Sequence, residues 1–162
     1  ARMIDGGEDV KFICRRLIIS ASEDIGLGAP NALLMATTAA QAAQMVGYPE
    51  ARIILSQAVV YLATAPKSNS SYVAINDAQA AVRKTGTLPV PLHLRNAPTK
   101  LMKQLDYGKN YNYSHDNPGN FKAQEYLPEE LKGTAFFMPK PNNPTEKGIL
   151  ERLKRWWGGK YY

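Results

Sequence analysis

The chain has 162 residues and 44% hydrophobic content, enough for one globular domain with a sizeable core. Its net charge of +6 and pI of about 9.4 favour polyanionic partners such as nucleic acid without establishing one. A single cysteine, Cys14, excludes an internal disulfide and reads as a reduced, cytosolic chain, and no apolar run reaches the roughly 20 residues a membrane helix needs.

The chain opens on Ala1-Arg2-Met3-Ile4 with no initiator methionine and no signal peptide, and reads as a domain excised from a longer protein. Asp5-Gly6-Gly7 is a turn. A helix begins at Glu8 or Asp9, with acid in its first turn and Val10, Phe12, Ile13, Leu17 and Ile18 on its apolar side. Gly26 and Gly28 end it. Pro30 opens a second helix that runs to about Val46 and is rich in alanine, which permits close approach of neighbours. Pro49 restarts the chain into a third helix, from Glu50 to about Ala63. Its residues Ile53, Ile54, Leu55, Ala58, Val59, Val60, Tyr61 and Leu62 leave almost no polar face. A helix apolar all round is expected to be buried on all sides, at the centre of the bundle, and its cover is expected to come partly from an oligomer. Ile53, Ile54, Val59, Val60 and Leu62 are therefore candidates for core or oligomer interface. Ser68 or Asn69 caps a fourth helix to Lys84 or Thr85, whose weakly amphipathic face (Tyr72, Ile75, Gln79, Val82) places it at the edge.

Leu88–Asp116 is organised differently. Pro89, Pro91 and Pro98 keep Leu88–Ala97 extended, and a short helix over Thr99–Leu105 follows. The segment concentrates His93, Arg95, Asn96, Lys100, Lys103, Lys109 and His115 among Tyr107, Tyr111 and Tyr113. On one reading His93, Arg95 and Asn96 pin a proline-rich loop by satisfying its unpaired backbone groups. On the other they contact nucleic acid or a partner. The tyrosines with Lys109 fit base stacking and a local hydrophobic patch equally well. The expected division makes Arg95 structural and leaves Lys100, Lys103, Lys109 and Tyr111 available to DNA. Beyond this stretch, Thr134–Met138 is a candidate strand pairing with Tyr111–Tyr113. Residues 139–144 form a Pro/Asn spacer. Thr145–Trp157 reads as an amphipathic helix within a basic tail, 145–162.

Catalytic patterns are missing. There is no phosphate-cradling G-x-x-x-x-G-K-[ST] loop, no G-x-G-x-x-G after a strand, no H-E-x-x-H and no paired-cysteine metal spacing. Cys14 lies in an apolar helical run and reads as core, and adjacent Glu23 and Asp24 read as helix-end hydrogen bonding and ion pairing. No catalytic, cofactor or metal residue is assigned.

Cys14-Arg-Arg-Leu17, Ala21-Ser-Glu-Asp-Ile-Gly26, Tyr61-Leu-Ala-Thr-Ala-Pro-Lys-Ser-Asn69 and Leu88-Pro-Val-Pro-Leu-His-Leu-Arg-Asn-Ala-Pro-Thr-Lys-Leu-Met102 resemble one family. It is the C-terminal region of the replication-associated recombination protein A family, AAA+ ATPases that include bacterial MgsA and the eukaryotic Werner-helicase-interacting ATPase. The likeness runs from Ala1 to about Met138, and nothing is carried over to Trp156 or Trp157. It implies an all-α collar resembling that of clamp loaders over residues 1–138, with a helical bundle at 1–87 and a loop-rich cap at 88–138. It further implies a homotetramer, and a parent that acts on DNA at stalled replication forks with a single-stranded-DNA-binding protein. By the same resemblance, ATP and magnesium bind in an N-terminal part outside these residues, and the location is cytoplasmic and nucleoid-associated. The leading expectation is an oligomerisation domain, and the alternative a DNA-binding module using residues 93–113.

Overall fold

A computed structural model describes residues 1–161, which are helical and irregular with no strand among them. A single turn, α1 (Arg2–Asp5), precedes α2 (Val10–Ser20), whose cap Asp9 accepts the Lys11 amide at 3.0 Å. The last turn of α2 widens into a π-helical turn, Ala21–Ile25, and Gly26 then breaks away at φ +47°. Next come α3 (Asn31–Val46) and α4 (Ala51–Thr64).

Helix α3 packs against both α2 and α4, and its buried side chains are Ala32, Ala36, Ala39, Ala40 and Ala43. Two small clusters make the core. One joins Ile13, Cys14, Ala40, Ala43, Ala51 and Leu55, and the other Ala21, Ile25, Ala32, Ala36 and Leu62; Leu17 and Ile18 pack against both. The central element is thus α3, which corrects the expectation for α4. Only the stripe Ala51, Leu55, Ala58 and Leu62 of α4 is buried, at i, i+4, i+7 and i+11. Its neighbours cover that stripe and leave the opposite apolar face open.

Helix α5 (Ser70–Thr85) lies at the edge, with the inverse of the expected orientation. Ala74, Ala78, Ala81 and Thr85 are half-buried, whereas Tyr72, Ile75, Gln79 and Val82 face outward. Helix α6 (Lys100–Gln104) is capped by Thr99, whose hydroxyl accepts the Met102 amide at 3.2 Å. The strand expected at Thr134–Met138, paired with Tyr111–Tyr113, does not form. Turns engage those backbones instead: the Tyr111 amide donates to the Gly108 carbonyl, the Thr134 amide to that of Leu131, and the Gln124 side chain to the Asn112 carbonyl.

Helix α7 (Pro144–Trp157) is fastened to the bundle at its first turn. Asn143 caps it, accepting the Glu146 amide at 2.9 Å. The Glu146 side chain is 0% exposed. Its carboxylate accepts the Ser68 hydroxyl at 2.7 Å, the Ser70 hydroxyl, and the Lys140 amide at 2.6 Å. Burial pushes this carboxyl up, but the bonds from Ser70, Ser68, Lys140 and Asn143 outweigh it and hold the pKa below the usual glutamate value. On the other side of the same turn, a Cβ on Gly28 would lie 2.5 Å from the Pro66 carbonyl oxygen, and one on Gly26 2.5 Å from that of Ser68. Only glycine lets the α2–α3 connection lie against the α4–α5 connection this closely. Pro139 and Asn143, within the expected spacer, are buried at this joint.

Candidate interaction surfaces

An alanine core brings helices close, and it also decides where the larger apolar residues go. On α3, Leu34 is 67% and Met45 87% exposed, with Leu33 and Val46 also outside. On α4, Ile53 (61%), Val60 (59%) and Val59 are exposed, while Leu62 is buried and Ile54 packs half-buried against the core. Tyr72, Val73, Ile75 and Val82 do the same on α5. Single exposed apolar side chains are ordinary; here three consecutive helices turn their large residues outward. A groove of about 820 Å³ opens between α1, α2 and α4, lined by Ile4, Leu17, Ile53 and Val59 together with Arg16 and Arg52.

In the cap, His93 donates from Nε2 to the Glu125 carbonyl at 2.9 Å. The Glu125 carboxylate accepts the amides of Tyr126, Leu127 and Gly133 at 3.0, 3.1 and 3.0 Å, and Lys160 Nζ lies 3.6 Å away. Burial pushes the Glu125 carboxyl up, yet those amides and Lys160 bring it below the usual range. Arg95 donates from Nε to the Val90 carbonyl at 2.6 Å and from a terminal nitrogen to the Tyr107 hydroxyl at 3.0 Å, with its guanidinium 4.9 Å from the Tyr107 ring centroid. Asn96 is exposed and makes no side-chain hydrogen bond among the described residues. Lys100 and Lys103 are exposed on α6, Tyr111 is exposed, and Lys109 is held by Asp106 at 3.0 Å.

Two features were not read from the sequence. The first is the Glu146 joint, for which Asn143-Pro-Thr-Glu146 carried a signal: an Asn cap with Glu three residues on marks a helix start. The second is an aromatic cluster that fixes the far end of α7. Trp156 stacks on Phe121 at 5.0 Å, Trp157 meets Phe121 edge-on at 5.3 Å, and Tyr126 lies 6.4 Å from Trp157. No spacing rule links Phe121 to Trp156, and that contact was not legible.

Chemistry finds little purchase. Cys14 is buried and burial pushes its thiol up, which disfavours the reactive thiolate. Asp24, exposed in the π-helical turn that follows α2, accepts the Ser20 hydroxyl at 2.7 Å. Among the described residues no group of three or more His, Cys, Asp or Glu side chains could hold a metal ion. Nor is any helix among them long and apolar enough to cross a membrane.

The family model described as "MgsA AAA+ ATPase C terminal" matches residues 1–157. Replication-associated recombination protein A of Coxiella burnetii is 48% identical over 155 residues, 95% of this chain and 35% of that protein. The protein of the same name from Escherichia coli is 43% identical over 154 residues, 94% of this chain and 34% of its own length. ATPase WRNIP1 of Dictyostelium discoideum is 43% identical over 147 residues, 90% of this chain and 17% of its own. The chain spans about a third of the length of these two bacterial relatives.

Proposed function

The chain belongs to the MgsA AAA+ ATPase C-terminal family, and on that premise we propose that it is the self-association domain, a homotetrameric collar, of an ATPase acting on DNA in replication-associated recombination. The observation that carries this reading is the orientation of α3, α4 and α5, alanine inward and Leu34, Met45, Ile53, Val60 and Ile75 outward. Obligate interfaces bury upwards of about 2,000 Å² and resemble a core cut in half; in this chain the large-residue half of such a core lies on the surface. ATP and magnesium belong, in this proposal, to a part of the parent outside these residues, and the collar sets the number and spacing of its ATPase subunits.

The test is Ile53→Asp combined with Val60→Asp. Both side chains are exposed in the single chain, so the fold keeps its helicity while the assembly falls apart in light scattering. Retention of the assembly by the double variant counts against α4 as the interface.

A second reading, DNA contact through Lys100, Lys103, Lys109 and Tyr111, has the exposure of Lys100, Lys103 and Tyr111 in its favour. It draws less support, because Lys109 is already paired with Asp106.

A further inference from the structure

We propose that the outward face of α7 binds a nucleic-acid strand through its phosphates. The proposal does not depend on self-association, and it uses a different surface from the α6 lysines. Residues 140–160 hold six Lys/Arg against two Glu, four of the six net positive charges of the whole chain. One of those two acids, Glu146, is buried in the joint and leaves the surface. Helical spacing turns Ile149, Leu150, Leu153 and Trp157 inward and Lys147, Arg152, Lys154 and Arg155 outward, with Glu151 alone of opposite sign. Among the described residues Lys147, Arg152 and Arg155 make no ion pair, in contrast to Lys109 on the other basic stretch.

Helix stability explains only part of this strip. Cations in the last turn, such as Lys154 and Arg155, suit the helix dipole; Lys147, close to the N-terminal end, does not gain from it. From Lys147 to Arg155 the helix rises about 12 Å, along which one strand of a duplex carries three to four phosphates at about 3.4 Å each. The strip is also rigidly carried. Glu146 fixes one end, and Trp156, 41% exposed at the edge of the basic face, is fixed at the other between Phe121 and the Arg152 guanidinium, 5.9 Å from its ring. A preorganised cationic face loses little on ordering when it binds. Ile149, Leu150, Leu153 and Trp157 on the apolar side of α7 are half-buried against the protein itself, which leaves less of that side for a lipid surface.

The experiment is fluorescence anisotropy of a labelled oligothymidylate of about 20 nucleotides, and of a duplex of equal length, over a salt series centred on about 100 mM. Lys147→Gln/Arg152→Gln/Arg155→Gln should weaken binding about tenfold and flatten the salt dependence for the single strand by about 2, at about 0.7 per contact. Lys147→Gln/Arg155→Gln touches neither tryptophan and should flatten it by about 1.4 on the same scale. Lys100→Gln/Lys103→Gln should change neither quantity, and sedimentation of every variant should match the unmodified chain, which separates strand binding from assembly. Unchanged affinity and slope in the α7 variants overturns the proposal, as does failure of the unmodified chain to bind either oligonucleotide. Displacement of the oligonucleotide by polyglutamate at equal charge overturns it in favour of an acidic polypeptide.

Discussion

Replacing Glu146 by alanine removes the acceptor that fastens α7 to the bundle. At this joint the Lys140 amide and the Ser70 hydroxyl lose their partner outright, while the Ser68 hydroxyl can turn to Ser70 Oγ, 3.1 Å away. The buried Ser70 hydroxyl left unsatisfied costs about 1–3 kcal/mol and the part-buried Lys140 amide less, so about 3 kcal/mol together. For a chain of this size that corresponds to a fall in melting temperature of about 10 °C, read by circular dichroism at one fixed protein concentration. Acid provides an independent check. The folded-state pKa of Glu146 lies below the usual glutamate value of 4.5. Its contribution is therefore fully present above pH 4.5 and is lost as pH falls through the lower folded value. Glu125 titrates in the same sense, so the informative comparison is with Glu146→Gln, whose melting temperature should fall less steeply below pH 4.5. An alanine variant melting within about 2 °C of the unmodified chain, or acid limbs that superimpose, would refute this account of the joint.

Other substitutions probe separate contacts. Gly28→Ala drives a Cβ to 2.5 Å from the Pro66 carbonyl oxygen and should cost about 1–3 kcal/mol in chemical denaturation. Arg95→Ala should destabilise the cap by about 1–3 kcal/mol, and Arg95→Lys should not restore it, because an ammonium cannot reach both Val90 and Tyr107 and stack on the ring. ATP with magnesium should leave the melting temperature of the chain unchanged, since a ligand stabilises only a state that it binds.

The helices were legible because their punctuation is local: Asp9, Pro30 and Thr99 at starts, Gly47 and Gly86 at ends. What the sequence left open was which side of each helix faces in. In α4 an apolar residue stands at nearly every register, and in α5 large apolar residues and alanines mark different faces, so bulk alone does not choose the inward side. The small residues decide it, because Ala51, Ala58, Ala74 and Ala78 let backbones approach. Reading bulk as burial therefore placed α4 at the centre and turned Tyr72 and Ile75 of α5 the wrong way. Long-range partners were hidden for a different reason. His93 with Glu125 and Glu146 with Ser68 and Ser70 join residues 32 to 78 positions apart, and nothing in the local pattern names the partner.

The central claim is that the exposed apolar faces of α3, α4 and α5 are covered by other copies of the chain. Sedimentation equilibrium of the unmodified chain at micromolar concentration tests it most directly. The account predicts a mass four times that of the 17.9 kDa chain, stable on dilution and without nucleotide. A single species at 17.9 kDa across that range would contradict it.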